Sequence, residues 1–239
     1  MGGSTSTTCE WCGRELTPRY VEFAGQLVQV GHAPCPCPGA AAQRERDERE
    51  EERRARERRE ARLRKKAAEA GIPRRFMDAE SDEAPELWGR VKAGEGLYIH
   101  GPVGAGKTHL ACAVARLAIA EGLRVQFVDA PGMLRLVKAA YSGEGTEEDA
   151  IGRLVGKDLL VIDDLGKEAP TEWTLQTVFA VVDGRWRELR PVVVTSQSKR
   201  SGLAERLARR GDEMTARAVV SRLAECGAVE LDGPDRRLR

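Results

Sequence analysis

The sequence is poor in three things, and each shortage excludes a class of function. Aromatic residues make up 5% of its 239 residues, which leaves no broad platform on which a run of bases would stack. Lysine plus arginine number 39 and aspartate plus glutamate 38, a formal net charge of +1. A uniformly cationic body is therefore excluded, and any basic surface is local. No apolar run approaches the roughly 20 residues that cross a bilayer. The Gly/Ser/Thr-rich start, Met1 to Thr8, also lacks the apolar stretch of a signal peptide. These features predict a cytoplasmic protein without a membrane partner. In a reducing compartment closely spaced cysteines, of which there are six in all, signify metal or redox chemistry rather than structural disulfides.

What is present falls into three segments: 1–39, 40–70 and 71–239. The first holds Cys9, Cys12, Cys35 and Cys37. Between the pairs lie Tyr20–Phe23 and Leu27–Val30, two short alternating runs on either side of Gly25, as in a hairpin. Two closely spaced cysteine pairs separated by a hairpin predict tetrahedral zinc ligation, with His32 as an alternative to one thiolate. The second segment is almost entirely Arg, Glu and Ala. Its pairs Glu45/Arg49, Glu50/Arg54 and Glu52/Arg56 favour a solvated helix, and a mobile charged tether is the alternative. Leu63 is nearly its only large apolar residue, so there is no coiled-coil seam.

The third segment alternates β-rich and helical runs. Strands are predicted at Leu97–His100, Arg124–Val128, Leu159–Asp163, Val192–Thr195 and Ala228–Leu231. Helices are predicted at Lys107–Glu121, Gly132–Tyr141, Thr171–Glu188 and Thr215–Cys226. That alternation implies an α/β fold with a parallel sheet covered on both faces.

Gly101-Pro102-Val103-Gly104-Ala105-Gly106-Lys107-Thr108 is a complete P-loop motif between a predicted strand and a predicted helix. The glycines let backbone N–H groups wrap a polyphosphate, and the helix N-terminus adds partial positive charge. Lys107 is expected at the β- and γ-phosphates of ATP and Thr108 on magnesium. Leu159-Leu160-Val161-Ile162 forms a buried run that delivers Asp163 and Asp164 at its carboxyl end, where open α/β sheets bind ligands. Asp163 is expected to hold magnesium, and Asp164 to orient or deprotonate the attacking water. Val192-Val193-Val194 similarly delivers Thr195 and Gln197, as γ-phosphate or water contacts or as an ordinary polar loop. Arg124–Val128 lies between the two acidic and glycine-rich motifs in sequence, as in the ATPase branch of P-loop proteins.

In order, Gly71-Ile72-Pro73-x-Arg75-Phe76, the P-loop, Val161–Gly166, Val182-Asp183-Gly184-Arg185-Trp186, Val192–Gln197, Ser221-Arg222-Leu223 and Gly233-x-Asp235-x-Arg237 resemble the bacterial helicase-loader family, the DnaC/DnaI-type AAA+ proteins. The resemblance covers about Gly71 to Arg239. It implies a P-loop AAA+ core with a parallel five-stranded sheet between helices and no C-terminal lid, beside the small four-cysteine zinc module. It implies an arginine finger at Arg222, acting on a neighbouring subunit's ATP, and a sensor-2 arginine at Arg237, with Arg236 adjacent. Self-association through the ATP site follows from that finger. Gln197 stands where the family usually carries Asn. Asp164, shorter than the Glu of many AAA+ enzymes, suits slow, switch-like ATP hydrolysis.

The implied function is an ATP-dependent loader that binds the replicative DNA helicase through the zinc module and holds single-stranded DNA. Arg135 and Lys138 serve either as phosphate contacts or as solvated cations of an amphipathic helix, beside an acidic run, Glu144 to Asp149, that repels DNA. An IstB-type transposition helper ATPase and a non-hydrolysing ATP-switched adaptor are the alternatives.

Overall fold

The computed structural model describes residues 7–140, 145–169, 171–209, 212–233 and 235. The chain forms two compact units, Met1–Ala61 and Arg62–Arg239. The division falls inside one helix, α1 (Pro38–Glu69), and not at the ends of the charged segment.

In the first unit β1 (Pro18–Phe23) pairs antiparallel with β2 (Gln26–His32), closing on Phe23 opposite Gln26. The two turn residues, Ala24 and Gly25, both have positive φ, 53° and 78°. This is the backbone of tight hairpin turns whose twist matches that of the strands. The hairpin has no buried face: Tyr20, Val21, Phe23, Leu27, Val28 and Val30 are all exposed. Along α1 the expected pairs Glu45/Arg49 and Glu50/Arg54 form, whereas Arg56 pairs with Glu60 rather than Glu52.

The second unit begins with the last turns of α1. Ala67 is fully buried, Leu63 packs against the core, and Arg64 pairs with Asp78. The backbone then turns at Gly71 (φ 92°), where a Cβ would stand 2.4 Å from the Phe127 carbonyl oxygen. Glycine is required there by both conformation and space. The five strands are β3 (Leu97–His100), β4 (Val125–Asp129), β5 (Leu159–Asp163), β6 (Val192–Ser196) and β7 (Gly227–Glu230). All are parallel, in the order β4-β5-β6-β3-β7. The strand that lies in space between the P-loop strand β3 and the acidic strand β5 is β6. The strand between them in sequence, β4, is at the sheet edge.

Side-chain alternation divides the core. Leu97, Ile99, Leu159, Val161 and Val193 pack with α2 (Ala84–Lys92) and α3 (Lys107–Ala120). Tyr98, Leu160, Ile162, Val192 and Val194 pack with α4 (Ala130–Ala139), α5 (Glu147–Val155), α6 (Glu172–Arg187), α7 (Arg200–Ala208) and α8 (Glu213–Leu223).

No helix is predicted from the sequence over α2, α5 or α7. The acidic run is in fact the start of α5. Thr146 and Asp149 form a reciprocal capping box, and Glu147, Glu148 and Asp149 fill a first turn whose dipole favours negative charge. Its Glu144 end, like Tyr141 in the helix forecast at 132–141, lies outside the described residues. Among the described residues no helix follows β7, and none is long and apolar enough to cross a membrane.

Candidate functional site

The parallel sheet brings the carboxyl ends of β3, β5 and β6 to one edge. The loop after β3 turns through Gly104 (φ 80°), where a Cβ would stand 1.9 Å from Asp235 Oδ1. Gly106 (φ 100°) then leads into α3. Above this loop is a cavity of about 340 Å³, lined by Arg75, Phe76, Val103, Gly104, Gly106, Lys107, Thr108, His109, Asp164, Lys167 and Gln197. Gly101, Pro102 and Ala105 form the body of the loop behind it. Lys107 Nζ donates to the carbonyls of Gly101 and Pro102 at 2.8 and 2.7 Å.

Beside the cavity, Thr108 Oγ1 donates to Asp163, 3.0 Å from Oδ1 and 3.1 Å from Oδ2. Asp163 is buried at the end of β5, and that burial raises its pKa against the lowering hydrogen bond from Thr195. A hydroxyl and a carboxylate side by side at a phosphate-binding loop are hard oxygen donors suited to magnesium, so the pair fits the ion.

Asp164 adopts a left-handed backbone (φ 57°), and its carboxylate accepts from Lys167 Nζ at 2.6 Å. Lys167 was not anticipated, although its spacing of three from Asp164 was legible. Gln197 lines the cavity. Thr195 does not: its fully buried hydroxyl donates to Asp163 Oδ1 at 2.6 Å and accepts the Asp164 N–H at 2.8 Å. Its expected phosphate contact is thereby corrected, because the hydroxyl's one proton is already committed. Arg75 and Phe76, part of the Gly71–Phe76 motif in the sequence, line the nucleotide-sized cavity, with Phe76 edge-on to His109 at 6.2 Å.

Arg222 lies away from the cavity. It bonds Asp183 of its own chain and stands over the rings of Phe179 and Trp186. Arg236 and Arg237 lie outside the described residues. Arg135 and Lys138 are on the exposed side of α4, Arg135 within 3.7 Å of Asp129.

In the first unit the four sulfurs of Cys9, Cys12, Cys35 and Cys37 lie within 4.8 Å of one another, with Cys9–Cys37 at 3.7 Å and Cys12–Cys35 at 3.5 Å. Four thiolates about 2.3 Å from a tetrahedral zinc stand about 3.8 Å apart, so the set fits that ion. Backbone N–H groups of Trp11 and Cys12 lower Cys9 to about 7. Cys35 is raised to about 11 by burial and the neighbouring sulfurs, over the opposing Cys37 N–H. His32 is not in the cluster; its Nε2 lies 3.4 Å from Gln29 Nε2.

Residues 40–239 match the model of the IstB-like ATP binding protein family. The chain belongs to this family. Among its IstB-like relatives is the ATP-binding protein of insertion sequence IS5376 from Geobacillus stearothermophilus, 30% identical over 146 residues, which are 61% of this chain and 56% of that protein. The replicative helicase loader DnaI of Bacillus subtilis is 27% identical over 150 residues, covering 60% of this chain and 48% of the loader. The chain spans about half the length of the curated relatives it matches. In fold, this IstB-like chain is similar to the crystal structure of DnaI, with a TM-score of 0.58 and 24% identity over 67% of this chain and 95% of the other. The fold of the core is shared with that neighbour.

Proposed function

We propose that the protein hydrolyses ATP slowly and uses the cycle to load a replicative DNA helicase onto single-stranded DNA. The observation that carries the hydrolase reading is the convergence of Lys107, Thr108, Asp164 and Gln197 on one cavity, with Asp163 against Thr108. Thr108 and Asp163 would hold magnesium, which when bound would supply charge neutralisation to the phosphates. Lys107 exchanges its two backbone carbonyls for phosphate oxygens. Gln197 orients a water, and Asp164 takes that water's proton as its oxygen bonds to the γ-phosphorus. The bond from that phosphorus to the bridging oxygen breaks, leaving ADP and phosphate. The carboxylate of Asp164 must leave Lys167 or share it for this, which suits slow turnover. Arg222 acts from a neighbouring copy and Arg237 from the same copy.

The zinc module is the proposed grip on the helicase. Its support is the exposed apolar hairpin, with Phe23 and Leu27 about three-quarters exposed (74% and 75%). Large exposed apolar side chains gathered on one small unit mark interaction surfaces. Arg135 and Lys138 are proposed phosphate contacts, and the setting is cytoplasmic.

A specific observation favours a second reading, transposition helper: the family match and the insertion-sequence relative. A pull-down from the native host with ATP, read by mass spectrometry, separates the two. The loader reading expects the replicative helicase, lost in the Cys35→Ser/Cys37→Ser double variant. Recovery of a transposase without helicase, together with duplex-dependent filaments, would establish the helper. A protein that binds ATP but shows no turnover with DNA and partner present is the non-hydrolysing adaptor.

A further inference from the structure

One residue of β6 holds three consecutive residues of the neighbouring strand end. Thr195 donates its hydroxyl proton to Asp163 Oδ1, accepts the Asp164 N–H on the same oxygen, and accepts the Leu165 N–H at 2.9 Å on its carbonyl. The next residue adds a fourth tie, Ser196 Oγ donating to the Leu165 carbonyl at 2.9 Å. The Thr195 side chain is fully buried, so no water replaces these bonds.

The two hydroxyl bonds do different things. Asp163 Oδ1 is reached by both Thr195 and Thr108, on β6 and α3 respectively. A carboxylate with two donors on one oxygen has its plane fixed about its terminal torsion, which is otherwise broad. Asp164 meanwhile occupies a left-handed conformation uncommon for a residue with a side chain. An acceptor on its N–H holds that conformation and sets the direction from which its carboxylate leaves the backbone. Thr195 is β-branched, with one strongly restricted χ1, so the hydroxyl is itself held in place.

We infer that Thr195 is a positioning residue of the ATP site, whose hydroxyl sets the Asp163 carboxylate for magnesium and fixes the turn that carries Asp164. The inference rests on the ATPase reading for Asp164 and on nucleotide binding alone for Asp163. It assigns the polar end of β6 two separate roles: Thr195 orients the acidic pair from behind, and Gln197 faces the cavity.

The test uses the full-length protein and a fluorescent ATP analogue, mant-ATP, titrated at a series of magnesium concentrations. In Thr195→Val, of similar shape without the hydroxyl, the magnesium concentration that half-tightens binding rises about tenfold, the loss of one charge-assisted hydrogen bond. Affinity without magnesium stays within about twofold, because the phosphate-binding loop is untouched. Thr195→Ser restores the magnesium midpoint. Ser196→Ala, which loosens the same turn without touching either carboxylate, keeps it. Should Thr195→Val not fold, Thr195→Cys, which places a weak S–H donor at the same position, takes its place with the same expected rise.

An unchanged midpoint in the hydroxyl-free variant overturns the inference. So does a Thr195→Ser protein as defective as Thr195→Val, or a wild-type affinity indifferent to magnesium. A wild type that binds mant-ATP in a magnesium-dependent manner but never turns over ATP removes the hydrolase reading, and the same titration still decides the role of Thr195 toward Asp163.

Discussion

Arg222 donates from Nε to Asp183 Oδ1 at 2.5 Å, joining α8 to α6, with its guanidinium 4.9 Å from the centre of the Phe179 ring and 5.2 Å from that of Trp186. Arg187 takes the other oxygen of the same carboxylate at 2.8 Å. Asp183 is thus the shared anion of two cations, which gives the segment Val182–Trp186 a structural purpose. Removing Asp183 strands a largely buried guanidinium, whereas removing Arg222 leaves Asp183 paired with Arg187. Asp183→Ala should therefore cost about 3 kcal/mol and Arg222→Ala about half of that. Urea unfolding measures both, and equal losses would refute the shared-anion account.

Arg185, between Asp183 and Trp186 of the same helix, is fully buried and forms no salt bridge among the described residues. Nη1 donates to the carbonyls of Leu154, Val155 and Lys157 at 3.0, 3.1 and 2.9 Å, and Nη2 to Pro191 at 2.5 Å. These include the last carbonyls of α5, where the helix dipole favours a cation. Burial lowers its pKa to about 10, so it stays charged at neutral pH. Arg185→Leu orphans several carbonyls at once and should cost at least about 3 kcal/mol, lowering Tm by roughly 10 °C in a unit of this size. A thermal melt within a degree or two of wild type would show that the cage is dispensable.

Asp158 supplies one pH-dependent element of stability. Hydrogen bonds from Arg124 hold its pKa at about 2, below its ordinary 3.8. A depressed carboxyl contributes fully above its ordinary pKa and loses that contribution as pH falls through the folded value. Arg124 is well exposed, so the contribution is screened to about 1 kcal/mol. The gap in urea midpoint between wild type and Asp158→Asn should be constant above about pH 5 and close between roughly pH 4 and 2. A gap that widened on acidification would contradict the assignment.

The Asp164–Lys167 pair bears on turnover. Asp164→Asn should retain mant-ATP binding and lose hydrolysis by about a hundredfold, the usual contribution of a positioned general base. Asp164→Glu should accelerate single-turnover hydrolysis by extending the carboxylate toward the water. Unchanged single-turnover rates in the Glu variant would count against the short side chain as the brake.

The cysteine cluster predicts one zinc per chain, released on acidification as thiolates protonate. Chromogenic chelator titration should find about one equivalent in wild type and none in Cys35→Ser/Cys37→Ser. Mant-ATP binding should survive in the double variant, because no residue of the cluster lines the nucleotide-sized cavity. Wild-type protein free of zinc after expression with the metal would remove the site.

Much of the architecture was legible because it is written in local rules. Leu97-Tyr98-Ile99 before a glycine-rich loop and Leu159-Leu160-Val161-Ile162 before two aspartates read as buried strands, and β3 and β5 appear within the expected bounds. The charge pairs four apart are compatible with the helix α1 and with a mobile tether alike, and the structure has the helix, while the hairpin was legible in the alternation around Gly25. Three helices were missed for equally local reasons. The apolar stripe of α2 is only about two turns long, Ala84 to Val91, the start of α5 looks like an acidic loop until its capping box closes, and the apolar residues of α7 are few among polar and charged ones.

The sequence by itself determined the phosphate-binding loop, the strands that carry acidic and polar residues to one edge, and the four-thiol set, because each depends on neighbours within a few residues. Only the tertiary structure decided what those side chains meet. The order β4-β5-β6-β3-β7 inserts β6 between the two motif strands. That order alone brings Thr195 onto Asp163 from 32 residues away, while helix packing brings Arg222 onto Asp183 from 39 residues away. A hydroxyl or a guanidinium carries no mark of its distant partner in the sequence. Its partner is set by strand order and helix packing, which arise from the burial of the whole core.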